Sequence, residues 1–129
     1  MILVDSSAWI DYFNGNDTDE VKKLDLYLGN YSIAIGDIIL TEVLQGFNND
    51  RDYQTAKMLL TSLRVYSLLG VNLAIKSAEN YRFLRKKGIT TRKTNDVIIA
   101  TFCIENNIAL LFSDKDFKPF VTHLNLISA

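Results

Sequence analysis

Short apolar runs alternate along the chain with stretches in which apolar residues recur every three or four positions. The first run, Ile2-Leu3-Val4, is wholly apolar, as in a strand buried on both faces, and "SSAWIDYF" after it starts a helix that Gly15 ends. A second helix is predicted from Asp19 to Leu28, introduced by Asp17 and Thr18, with Glu20 placed for a capping box and Gly29 as the stop. "YSIAIG" alternates as a strand does, and "DIILTEVLQGF" follows as a mainly buried helix interrupted by Glu42. Residues 52–64 fit an amphipathic helix, "VYSLL" a strand, and Leu73 to Lys87 a long helix capped by Asn72. Then come a short basic loop, the helix "NDVIIATFCIENN", the strand "IALLF", the acidic turn "SDKDF" and a closing strand "LNLIS".

Strands separated by helices predict an α/β fold, with a central, mostly parallel β-sheet covered by helices on both faces. The 129 residues suit a single domain spanning residues 1–129, since there is neither an internal repeat nor a long linker. With 48% apolar and 22% charged residues, the chain has enough material for a core and too much of it for disorder. No apolar run approaches the ~20 residues that cross a bilayer, and no basic region precedes the first apolar run. The expected compartment is the cytoplasm, with no membrane partner.

The cysteine and histidine counts narrow the chemistry. Cys103 is the only cysteine and lies among apolar neighbours, so an internal disulfide and a thiolate zinc cage are both excluded. His123 is the only histidine, which removes multi-histidine metal sites and disfavours a histidine-based triad. Any metal is then held by oxygen.

Four carboxylates stand out by position. Ligands of an open parallel sheet bind beyond the carboxyl ends of its strands. Asp5 directly follows the first strand, and Asp114 follows "IALLF" closely, so both emerge at one edge if these strands are central and parallel. Asp96 at a helix start belongs to that edge, although Thr94, Asn95 or Asp96 would serve equally as a helix cap. Glu42 needs a partner within its apolar helix, and no basic residue occurs between Lys23 and Arg51.

Close carboxylates repel one another, by roughly 4 kcal/mol for a pair 4 Å apart at an effective dielectric near 20. Divalent cations relieve that repulsion, and an all-oxygen set favours Mg²⁺, with Mn²⁺ as a substitute, over zinc or copper. Such ions suit hydrolytic phosphoryl transfer. Ser7 is a candidate to orient Asp5 or to cap the first helix, and Asp116 is a candidate outer carboxylate or a solvated turn residue. Trp9, Tyr12 and Phe13 fit a core or interface better than a base-stacking platform.

The formal net charge of −1 gives no overall attraction to nucleic acid, yet Arg82, Arg85, Lys86, Lys87, Arg92 and Lys93 form a block without an acid. It is either a phosphate-binding stripe, with Arg85, Lys86, Lys87, Arg92 and Lys93 as the candidates to hold a nucleic-acid backbone, or a solvated helix end closed by Gly88.

"MILVDSSAWIDYF", "TEVLQGF" and "LRKKGITTRKTNDVIIATFCIENNIALLFSDKDF", in that order, resemble the PIN-domain ribonucleases, above all the VapC toxins of bacterial and archaeal toxin–antitoxin pairs. The resemblance spans essentially the whole chain. It implies a PIN-like fold and a Mg²⁺- or Mn²⁺-dependent endoribonuclease acting on structured RNA, such as tRNA or rRNA loops, and neutralised by a cognate antitoxin. It further implies that Asp5, Glu42, Asp96 and Asp114 are the metal-binding, catalytic acids. A homodimer paired through N-terminal helices and an antitoxin group inserted into the acidic pocket are implied as well. Two other readings compete. A phosphorelay receiver would need an Asp after the middle strand, which "VYSLLG" lacks; a catalytically inactive PIN-like domain would keep the fold and only bind RNA or a partner.

Overall fold

The computed structural model describes residues 1–129 and contains a four-stranded parallel sheet. Its strands are β1 (Ile2–Val4), β2 (Ile33–Gly36), β3 (Arg64–Tyr66) and β4 (Ala109–Leu111), in the spatial order β3-β2-β1-β4. Register is set by the pairs Leu3 with Ala34, Leu3 with Leu110 and Ile35 with Val65. Consecutive strand residues point to opposite faces, and Leu3, Val4, Ala34, Ile35, Leu110 and Leu111 are all buried. Both faces of the sheet are therefore covered, and the strands have the continuous apolar composition expected of that position.

Seven helices provide the cover. Helices α1 (Ser6–Phe13) and α2 (Asp19–Tyr27) connect β1 to β2, α3 (Asp37–Leu44) and α4 (Asp50–Thr61) connect β2 to β3, and α5 (Val71–Lys86) with α6 (Thr94–Glu105) connects β3 to β4. The first two connections step along the sheet in one direction and the third steps back across it. With right-handed crossovers, that reversal places α5 and α6 on the face opposite the other four. The switch point of the sheet therefore lies between neighbouring β1 and β4, and the carboxyl end of β1 is where Asp5 emerges.

The buried apolar residues form one connected cluster in which Trp9 is fully enclosed, its ring stacked on Phe13 at 5.9 Å. Tyr12 and Phe47 extend this aromatic group by edge contacts, so it is core rather than a nucleic-acid platform. Cys103 is also fully buried, and that burial pushes its thiol up to about 12, out of reach of thiolate chemistry. Between α5 and α6 the amide of Asn80 donates to Thr101 Oγ1 at 3.0 Å, a polar link inside the core.

Several local expectations are corrected. Helix α2 is capped by Thr18, whose hydroxyl accepts from the Val21 amide at 3.1 Å, and not by an Asp17–Glu20 box. Helix α4 starts at Asp50, ahead of residue 52, because Asn49 accepts from the amides of Arg51 and Asp52. Helix α5 starts at Val71, so Asn72 lies inside it; the cap is Gly70, at a φ of +129° that side chains rarely adopt.

Helix α7 (Lys118–Leu124), preceded by a 3-10 turn at Lys115–Phe117, forms where a loop was expected, and it meets the expected closing strand only at Leu124. Pro119 sits in its first turn, where a missing amide costs no hydrogen bond, and Phe117 and Phe120 fill the core from one side. Only a single bridge, Leu110 with Ser128, remains of the expected strand.

Candidate functional site

Asp5 is the residue at which β1 becomes α1. Its amide continues the sheet by donating to Leu111 O at 2.9 Å, while its carboxylate caps α1 by accepting from the Ser7 amide at 3.0 Å. The Ser7 hydroxyl donates to the same carboxylate oxygen at 2.6 Å and accepts the amides of Ser113 and Asp114 at 3.0 and 3.2 Å. One hydroxyl thus ties the end of β1 to the loop after β4. The two roles considered for Ser7 become one, with the cap made by Asp5 and Ser7 holding it.

Asp96 is not a helix cap. Helix α6 has Lys93 at the cap position with no side-chain hydrogen bond there, and Asp96 lies in its first turn with 4% of its surface exposed. Glu42 on α3 is half-buried and accepts from the Ser6 hydroxyl at 3.2 Å; no cation pairs with it. Asp114 follows β4, accepting from the Asp116 amide through Oδ1 at 2.9 Å and from the Lys93 ammonium through Oδ2 at 3.1 Å.

The four acids act on one another. Burial first, then the negative charge of Asp5, push Asp96 up to about 7, with Asp114 and Glu42 adding to the rise and Lys93 opposing it. Asp5, only 2% exposed, is raised chiefly by burial, with Glu42 contributing and the Ser7 hydrogen bonds holding it back. Asp114 is lowered, first by the Asp116 amide and then by Lys93. Oxygens of Asp96, Asp114 and Asp116 lie within 4.8 Å of one another, the tightest acidic cluster of the chain. Asp5 and Glu42 stand outside that cluster but close enough to raise Asp96. Asp116 is exposed, and its carboxylate joins the group that holds Asp96 and Asp114.

Two buried oxygens, Asp5 Oδ1 and Asp96 Oδ2, have no hydrogen-bond partner. An anion buried in that state costs several kcal/mol unless a cation answers it. The donor set is all oxygen and fits a hard divalent ion.

Ser6 escaped the sequence reading, although the adjacent hydroxyls of "DSSAW" at a helix start are a visible signal for it. The basic block divides in two. Arg85 and Lys86 close the last turn of α5, Lys87 follows them with its ammonium 5.1 Å from the Phe83 ring centre, and Arg92 lies exposed in the loop. Lys93 instead enters the acidic site. Arg82 and Arg85 also edge a groove of about 440 Å³ between α5 and α6, floored by Ala78, Tyr81, Val97 and Ile98.

The family model of the PIN domain matches residues 2–120. The chain belongs to the PIN-domain family. This PIN domain is 31% identical over 134 residues to a protein named ribonuclease VapC11 from Mycobacterium tuberculosis, with 100% of this chain and 98% of that protein covered. That likeness places it among the VapC ribonucleases. Its fold resembles VapBC2 from Rickettsia felis, solved bound to a DNA fragment from the promoter, with a TM-score of 0.78 at 23% identity, covering 100% of this chain and 98% of that one. It also resembles VapC20 from Mycobacterium tuberculosis, described as a toxin cleaving the sarcin-ricin loop, with a TM-score of 0.68 at 19% identity over 92% of this chain and 94% of that one. No helix of the PIN domain is long and apolar enough to cross a membrane.

Proposed function

We propose that this PIN domain is a Mg²⁺-dependent endoribonuclease, the toxin of a VapBC-type pair, that hydrolyses phosphodiester bonds of structured RNA in the cytoplasm. Mn²⁺ substitutes for Mg²⁺. Asp5, Glu42, Asp96 and Asp114 hold the metal, and Asp116, through its place beside Asp96 and Asp114, contributes to the same pocket. The observation that carries this reading is the pair of buried, unpartnered carboxylate oxygens on Asp5 and Asp96, set among further acids with no sulfur or imidazole available. Bound there, the divalent ion supplies an activated water and charge neutralisation at the leaving oxygen.

The chain's own groups do the positioning. Ser7 fixes the Asp5 carboxylate and the backbone of residues 113–114 through one hydroxyl, so acids from the two ends of the chain keep their spacing without substrate. Ser6 steadies Glu42 in the same way. Arg85, Lys86, Lys87 and Arg92 lie on the segment leading to α6 and hold the phosphate backbone as it approaches. A tRNA or rRNA loop suits such a site, because unpaired nucleotides can reach a recessed pocket that a duplex cannot.

A solved structure of similar fold is described as a toxin–antitoxin complex from Klebsiella pneumoniae, which supports a cognate antitoxin that keeps this enzyme inactive. Two copies pair as a homodimer through the N-terminal helices, where Ile10 and Leu26 are exposed; light scattering on the purified protein measures this directly.

The decisive experiment is RNA cleavage by purified protein with Mg²⁺, with Mn²⁺ and with a chelator. Cleavage should require the ion and disappear in Asp5→Asn and in Asp96→Asn while both variants stay folded, since Asn keeps the shape of either side chain and the cap at position 5. Strong cleavage in chelator, or full activity in either variant, rules the proposal out. A folded protein that binds RNA but never cuts it would instead be the inactive binding domain.

A further inference from the structure

Lys93 is the only cation ion-paired with any acid of the pocket. It occupies the cap position of α6, and its carbonyl accepts the Asp96 amide at 3.1 Å, so its backbone is fixed relative to Asp96. Its ammonium stands 3.1 Å from Asp114 Oδ2. The other oxygen of Asp114 is taken by the Asp116 amide. Asp5 and Asp96 each present an unpartnered oxygen, whereas Asp114 presents none until Lys93 leaves.

Leaving is easy for this side chain. It is 59% exposed, and a lysine stem is flexible enough to carry the ammonium into solvent without uncovering any core. A Mg²⁺ ligand oxygen lies about 2.1 Å from its ion, so an ammonium hydrogen-bonded to that same oxygen meets the ion's charge at close range. The two cations repel each other and so compete at Asp114 Oδ2.

We propose that Lys93 is a built-in counter-ion of the pocket, competing with the divalent metal for Asp114 and swinging out when the metal binds. It holds the carboxylates together in the ion-free protein and sets the metal concentration at which the site fills. The inference rests on the metal-binding reading of the pocket, and it assigns Lys93 a role distinct from the RNA-binding stripe.

Mn²⁺ affinity of the full chain, measured by calorimetry at pH 8.5 without RNA, tests it. Lys93→Met should bind Mn²⁺ about three- to fivefold more tightly than the unaltered protein, the gain released by removing an exposed ion pair of ordinary strength. Lys93→Arg should stay near the unaltered value, and Lys118→Met, an exposed cation on α7, should not change it. Lys93→Gln replaces the Met variant should that one fail to fold. Unchanged or weaker binding without the Lys93 charge overturns the inference while leaving the metal site intact. An unaltered protein that takes up no Mn²⁺ overturns both.

Discussion

Asp96 is a buried acid whose charge is opposed by burial and by three neighbouring carboxylates. Its consequence for stability has a definite sign. A carboxylate raised from 3.8 to about 7 holds its proton in the folded protein at pH values where the unfolded chain has released it. The folded state is therefore favoured below about pH 4 and loses that advantage as the pH rises towards 7. Asp5, also raised by burial, pulls in the same direction. Asp114 is lowered; its contribution is present above the ordinary carboxylate range and is lost only on stronger acidification. The metal-free protein should melt at a lower temperature at pH 8 than at pH 5.5, and Asp96→Asn should flatten that dependence. Mn²⁺ should raise the melting temperature more at pH 8 than at pH 5.5, because at the higher pH it meets a charged pocket. Scanning calorimetry across the range, with chelator and with Mn²⁺, checks all three. Residue type and position relative to the strands made Asp5, Glu42, Asp96 and Asp114 visible in the sequence. The pairing of Lys93 with Asp114 was not legible because a basic block looks uniform in one dimension; only the turn into α6 shows that this lysine faces the acids.

At the scale of elements, the join between β2 and α3 carries Glu42 towards the site. Gly36 ends β2, and a Cβ added there would lie 2.4 Å from Leu68 Cδ1, while Leu68 is itself buried. The next residue, Asp37, accepts the Leu68 amide through Oδ1 at 3.2 Å, so the loop after β3 is fastened to the start of α3 twice, by packing and by a hydrogen bond. Gly36→Ala should cost about 1 to 3 kcal/mol through overpacking, read as a lower denaturant midpoint with an unchanged slope. Most elements were legible because their apolar periods are clean. The last helix was not. In "DFKPFVTHLNLIS" a proline and an alternating tail suggest a loop and a strand, yet the proline falls in the first turn, where it fits a helix. The tail then returns to β4 with only one bridge. Caps were similarly hidden at α2, where Asp17 and Thr18 both qualify and only the backbone geometry selects Thr18.

At the scale of the whole molecule, the acids of the pocket lie at the strand ends, and the basic run of Arg82, Arg85, Lys86, Lys87 and Arg92 lies on α5 and the loop beyond it. Under the proposed function the pocket concentrates metal and the basic run engages phosphate. Neutralising Arg85, Lys86, Lys87 and Arg92 together should weaken RNA binding and flatten its salt dependence, by about 0.7 in logarithmic slope for each phosphate that a side chain no longer neutralises. Filter binding across a salt series in the Asp96→Asn protein measures it without cleavage; unchanged slope returns those residues to solvated surface. The hydroxyl of Ser7 that reaches across 107 positions to the Asp114 amide has one more consequence. Until β4 docks beside β1, the first acid has no fourth to face, so the acidic pocket comes together only once nearly the whole polypeptide is in place.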